Sequence, residues 1–213
     1  IKHYFDTVDH EVLIRIIESR IKDMEVIWLI RSILGNYDSG TRGKGMPLGN
    51  WTSQFFANVY LNELDQFVKH NLKARYYIRY VDDFVILHHS WCQLEQYSLE
   101  IRHFLDTLRL ELHPTKCSIQ PFSQGVSFLG FKVYPFHRVP RKRNLKKIRN
   151  RLMDLIESYS TDGSDSAEIL GVLDGWQGYA MQGDTYHLRQ HLTRLVHVEL
   201  EKRTALRKIG RHT

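Results

Sequence analysis

Apolar positions along the chain repeat first at helical spacing. Val12, Leu13, Ile16, Ile17 and Ile21 line one side of a predicted helix, behind the capping candidates Thr7 and Asp9. A second helix is predicted over residues 23–34, ended by Gly35. Residues 35–50 then carry five glycines and one proline, the composition of a loop or turn-rich crossing. Ser53 is a candidate cap for a third helix, whose buried stripe would be Phe55, Phe56, Val59, Tyr60, Leu64, Phe67 and Val68.

Residues 75–81 and 84–87 are aromatic and β-branched, as strands prefer. Only Asp82 and Asp83 separate them, which predicts a hairpin with acidic residues at its tip. A further helix would turn Leu94, Tyr97, Ile101, Phe104, Leu105 and Leu108 inward and end before His113-Pro114. Short strands are expected over 117–122 and 127–134, and past Pro140 residues 144–203 read as three helices broken around 161–165 and at Gly183-Asp184. Mixed elements followed by helices alone predict an α+β fold: an antiparallel sheet with packed helices over 1–137, then a helical domain over 138–213.

Composition narrows the class only a little: 42% hydrophobic and 25% charged residues are ordinary for a globular protein. No apolar run nears the roughly 20 residues that span a bilayer, and the opening Ile1-Lys2-His3-Tyr4-Phe5-Asp6 lacks the pattern of a secretory signal. Cytoplasmic residence and no membrane partner are therefore expected. Two cysteines are too few for a disulfide framework, and neither stands at zinc-ligand spacing. The twelve histidines are scattered, and the one adjacent pair, His88-His89, reads as a solvated strand end.

Charge adds more, through where it sits. The net charge of +6 favours polyanions at long range. Arg138, Arg141, Lys142, Arg143, Lys146, Lys147, Arg149 and Arg151 form a run without an acid, and Leu145, Ile148, Leu152 and Leu155 lie on a different face of the same predicted helix. Such a run is commonly a solvated face. Its position next to the acidic hairpin's domain favours phosphate contacts, which position a duplex without reading sequence.

Asp82 and Asp83 are the most informative pair. Neighbouring carboxylates at a strand junction repel one another and lose hydration beside an apolar core. Divalent cations relieve that cost, and hard oxygen ligands suit Mg²⁺ or Mn²⁺. Two such ions about 3.5–4 Å apart can activate a primer 3′-hydroxyl and steady a leaving pyrophosphate, which is what displacement at a nucleotide's α-phosphate demands. A plain Asp-Asp turn is the alternative, since aspartate suits turns. The long apolar flanks and the bracketing Tyr80 and Phe84 favour the metal site.

Four ordered motifs carry a family resemblance. Tyr80-Val81-Asp82-Asp83 resembles the Tyr-x-Asp-Asp box of reverse transcriptases. The stretch Gly45-Met46-Pro47-Leu48-Gly49-Asn50-Trp51-Thr52-Ser53-Gln54 is similar to that family's loop and helix start against the incoming nucleotide. Leu110-Glu111-Leu112-His113-Pro114-Thr115-Lys116 resembles its Leu-x-Leu-x-x-x-Lys segment, and Val126-Ser127-Phe128-Leu129-Gly130-Phe131 its primer-grip hairpin. Pro47-Leu48-Gly49 and Ser53-Gln54, with Gly175-Trp176-Gln177-Gly178-Tyr179, are similar to enzymes of diversity-generating retroelements; group II intron-like bacterial enzymes are the near alternative.

The resemblance implies a palm over 1–137 and a thumb over 138–213, with the fingers largely absent, in an RNA-directed DNA polymerase of bacterial, archaeal or phage origin. It implies two Mg²⁺ ions, or Mn²⁺, on Asp82, Asp83 and the Ile1 carbonyl. Template RNA, a DNA or RNA primer and deoxynucleotides would be its partners, with a small basic oligomeric accessory protein. Phe5 would be a steric gate against a ribose 2′-hydroxyl, or simply a core residue. Leu48, Gly49, Gln54 and Lys116 would approach the nucleotide, and Tyr80, Gly130, Arg141, Lys142, Arg143, Lys146 and Lys147 the nucleic acid. Many relatives hold a glutamine at Leu48, so a leucine implies weaker rejection of mispairs, or merely a filled pocket. The family's first metal-binding aspartate would precede Ile1, which leaves open a silent nucleic-acid-binding fragment.

Overall fold

A computed structural model describes residues 1–37, 40–47, 49–161 and 166–210. They fall into two compact units, Ile1–Gln120 and Pro121–Thr213.

In the first unit, α1 (Tyr4–Thr7), α2 (His10–Glu18) and α3 (Met24–Gly35) precede the loop. Asp9 caps α2, its Oδ1 accepting from the N–H groups of Glu11 and Val12 at 3.1 and 3.2 Å. Thr7 has a different task, its hydroxyl donating back to the His3 carbonyl to close α1. Helix α4 (Trp51–Gln66) starts two residues before Ser53, with Asn50 as its cap. Ser53 is buried instead, on the stripe of Ala57, Tyr60, Leu61 and Leu64, where a small side chain admits close packing. That rotation leaves Phe55 outside the stripe, 63% exposed.

A π-helical turn, Phe67–Asn71, extends α4 toward the hairpin of β1 (Tyr76–Tyr80) and β2 (Asp83–Leu87), and α5 (Trp91–Thr107) follows. The core gathers Tyr4, Val8, Leu13, Met46, Tyr60, Leu61, Leu64, Val68, Ile101, Leu105 and Leu110, all buried. Tyr4 and Tyr60 keep their hydroxyls paired there: Tyr4 donates to the Ala57 carbonyl at 2.8 Å and Tyr60 to that of Leu108 at 2.6 Å. The hairpin is buried on one face only. Tyr77, Phe84 and Ile86 pack against the core, whereas Tyr76, Ile78 and Tyr80 alternate outward and are exposed.

The second unit holds β3 (Val126–Phe128), β4 (Phe131–Val133) and β5 (Arg138–Pro140), then α6 (Lys142–Thr161), α7 (Ser166–Ala180) and α8 (Tyr186–Gly210). The strand expected over 117–122 does not form: residues 117–120 are irregular, and Phe122–Gln124 is a 3₁₀ turn. The single strand expected over 127–134 is a hairpin, because Leu129 and Gly130 take φ values of 48° and 84° and reverse the chain in two residues. The three strands group with the helices rather than with the hairpin of the first unit. Arg141 N–H donates to the Gly130 carbonyl at 3.0 Å and Asp184 N–H to that of Arg138 at 2.8 Å. The division between the compact units falls at Gln120, and the second unit carries a sheet as well as helices. Leu152, Ile156, Ile169, Leu173, Trp176, Ala180, Leu192 and Val196 form its core. Among the described residues no helix is long and apolar enough to cross a membrane.

Candidate active site at the hairpin turn

The β1–β2 ladder runs one pair further than the sequence implies. Tyr80 pairs with Asp83, so the turn is Val81-Asp82 and Asp83 is a strand residue. Val81 takes φ 53°, a left-handed conformation that a β-branched residue adopts only under constraint. Asp82 is half-buried and Asp83 exposed. Among the described residues neither carboxylate is in an ion pair. Two adjacent acids without a cationic side chain are a donor set that a hard divalent ion fits. Among the described residues no cluster of three His, Cys, Asp or Glu side chains offers a metal cage.

What constrains the turn comes from α4. The Arg79 guanidinium makes a bidentate pair with Asp65, its Nε donating to Oδ1 at 2.7 Å and its Nη2 to Oδ2. Its Nη1 donates to the Val81 carbonyl at 2.7 Å and to Asn58 Oδ1 at 3.3 Å. The Tyr77 hydroxyl donates to Asp65 Oδ1 at 2.7 Å. The hydrogen bond that Arg79 donates to Asp65 raises the Arg79 pKa above its ordinary value against the opposing effect of burial. Burial, followed by the bond to Asp65, pushes the Tyr77 hydroxyl far above its ordinary value. Sequence reasoning passed over Arg79, Asp65 and Asn58. The available signal was alternation, which puts a charged residue at an inward strand position beside Tyr77.

The start of the chain meets this tip. The Ile1 nitrogen donates to the Asp82 carbonyl at 3.2 Å, and Lys2 N–H to the Glu111 carbonyl at 2.9 Å. Ile1 thus lies against one of the two aspartates. Phe5 is half-buried against the core, edge-on to Tyr4. Its carbonyl accepts from Met46 N–H at 2.7 Å, and that of Val8 from Gly45 N–H at 2.8 Å, so the glycine-rich loop is stitched to α1. Gly49 (φ 94°) and Gln54, in the first turn of α4, are exposed. Leu48 lies outside the described residues. Lys116 is exposed in the turn after His113. Burial, and then the nearby Lys116 charge, lower the His113 pKa.

Within the second unit, α6 presents Lys142, Arg143, Lys146, Lys147, Arg149 and Arg151 to solvent, while Leu145, Ile148 and Leu152 face its core. Among the described residues none of these six cations is in an ion pair. Arg141 is half-buried where its N–H meets Gly130. A Cβ at Gly130 would fall 2.5 Å from the Tyr179 hydroxyl and 3.0 Å from Asn144 Nδ2, so only glycine fits.

Residues 1–133 match the family of reverse transcriptases (RNA-dependent DNA polymerases). The chain belongs to that family. Protein YkfC of Escherichia coli (strain K12) is 30% identical over 66% of this chain and 45% of its own length. The group II intron-encoded protein LtrA of Lactococcus lactis subsp. cremoris is 41% identical over 32% of this chain and 12% of its own. An uncharacterized 91 kDa protein in a cob intron of Schizosaccharomyces pombe is 25% identical over 62% of this chain and 24% of its own. The chain spans less than half the length of each of these relatives.

Proposed function

We propose that this chain is the palm and thumb of an RNA-directed DNA polymerase that copies a template RNA from a DNA or RNA primer. The observation that carries this reading is the Asp82-Asp83 pair, in no ion pair among the described residues, at a constrained turn in a reverse transcriptase chain. Asp82 and Asp83 would hold two Mg²⁺ or Mn²⁺ ions, with the Ile1 backbone beside Asp82 as a further oxygen source. When bound, those ions supply charge neutralisation at the phosphate and a lowered pKa at the primer hydroxyl. The protein's own residues do the positioning. Phe5 gates the sugar, Gly49 and Gln54 flank the nucleotide, Lys116 meets a phosphate as a point charge, and Tyr80 offers an exposed ring to the primer end. The solvated cations of α6 grip the backbone of an A-like duplex.

Within the family, the loop around Leu48 and the Gly175–Tyr179 stretch support the diversity-generating class, with its mispair tolerance and a small basic accessory protein. The 41% identity to a group II intron-encoded protein favours an intron-type enzyme as the second reading. Primer extension on RNA with Mg²⁺ or Mn²⁺ tests the activity: the full-length protein should extend, and its Asp82→Ala variant should not. Extension that survives Asp82→Ala refutes the assignment. An error spectrum concentrated opposite adenine and reduced in Leu48→Gln supports the diversity-generating class; an unchanged spectrum supports the intron type.

A further inference from the structure

The site includes a feature that the metal chemistry itself does not require. A two-residue turn leaves the Val81 carbonyl without a ladder partner, and Val81 sits at φ 53°, where its branched side chain is disfavoured. Left alone, such a turn relaxes toward other conformations and carries Asp82 with it. The Arg79 side chain is 10% exposed and that of Asp65 28%, so their pair is largely desolvated and its geometry is fixed. Three anchors on α4 surround the guanidinium: both oxygens of Asp65, and Asn58 Oδ1. The same Nη1 that meets Asn58 also donates to the Val81 carbonyl, at 2.7 Å, so the fixed plane of the fork sets where that carbonyl lies.

We infer that Arg79 is a positioning residue for the reaction: held by Asp65 and Asn58 of α4, it fixes the Val81 carbonyl and thereby the turn that presents Asp82 to the metal ions. Arg79 acts on Asp82 through the backbone, by way of the Val81 carbonyl. The Tyr77 hydroxyl, donating to Asp65, steadies the same anchor from the strand. The inference rests on the polymerase reading for its consequence in catalysis, but the ordering of the turn stands on its own observable.

The experiment uses the full-length protein and its Arg79→Gln, Arg79→Lys, Tyr77→Phe and Asp82→Ala variants, each first checked for an intact circular dichroism spectrum. Amide exchange of the 81–84 segment and Mn²⁺ affinity by electron paramagnetic resonance are then measured. Loss of a hydrogen bond from a charged donor should speed exchange at the turn by roughly tenfold or more in Arg79→Gln. Mn²⁺ binding should weaken by a similar factor, and kcat for single-nucleotide addition should fall with little change in KM for the nucleotide. Arg79→Lys, which keeps one cationic donor, should recover part of each effect. Should Arg79→Gln fail to fold, Tyr77→Phe carries the test with a smaller rise of about twofold to threefold. Unchanged exchange at the turn, or faster exchange with unaltered Mn²⁺ affinity, overturns the role of Arg79. Failure of the polymerase reading looks different: Mn²⁺ affinity then survives Asp82→Ala, or the parent protein adds no nucleotide, whatever the exchange rates say.

Discussion

The hairpin tip and the outer face of α6 both concentrate charge of one sign, yet they are built in opposite ways. The tip puts two acids on consecutive residues, tilts Val81 into a left-handed conformation, and ties the turn to α4 through the half-buried Arg79–Asp65 pair. The α6 face needs nothing beyond helical periodicity: cations point outward where Leu145, Ile148 and Leu152 point inward, and among the described residues none of those cations is in an ion pair. Ligation requires oxygens at fixed positions, so it is served by a constrained turn. Attraction to a phosphate backbone depends on charge and distance, so a solvated row suffices.

Substitutions should separate the two regions sharply. The largest effect is expected from Asp82→Asn, which removes the charge of a proposed metal ligand with little change in shape. Nucleotide addition should fall on the order of 10³-fold, while the thermal midpoint stays within a few degrees of the parent because the residue supports no packing. Loss of fold in the same variant would mean that the tip is structural. Next comes Gly130→Ala, which strains a φ of 84° and meets Tyr179. It should cost about 1–3 kcal/mol in urea unfolding of the second unit.

Asp9, a buried acid of the first unit, adds a prediction in pH. Burial alone would raise the Asp9 pKa, but hydrogen bonds from Arg109, Val12 and Glu11 outweigh it and hold the carboxyl below its ordinary value. Its stabilising contribution is therefore complete above the pKa of the unfolded chain and is lost as pH falls through the lower folded value. Asp9→Asn, which keeps a capping oxygen, should flatten the acid limb of a urea-midpoint profile. The smallest single effect belongs to the basic row. Lys146→Gln or Lys147→Gln should each reduce the salt slope of duplex binding by about one and leave the chemical step intact at saturating duplex.

Helical periodicity and capping revealed α2, α3, α5 and the three C-terminal helices, since each buries a continuous stripe under a recognisable stop signal. The start of α4 was misread because Ser53 looks like a cap and is a packing residue. The register of the hairpin slipped by one pair because a turn containing Val81 follows no common turn preference. The Leu129-Gly130 turn was hidden inside an apparently continuous strand. Of the site, the aspartates and the basic row stood out as local patterns. The Arg79–Asp65 pair did not, because its partners are 14 residues apart and meet only through the tertiary packing of a strand on a helix.

The claim beneath all of this is that the tip of the β1–β2 hairpin exists to hold divalent ions. Titration of the full-length protein with Mn²⁺, followed by electron paramagnetic resonance in the parent and in an Asp82→Asn/Asp83→Asn variant, tests it most directly. Saturable binding in the parent that vanishes in the folded double variant is the predicted result. Equal Mn²⁺ binding in both would contradict the account.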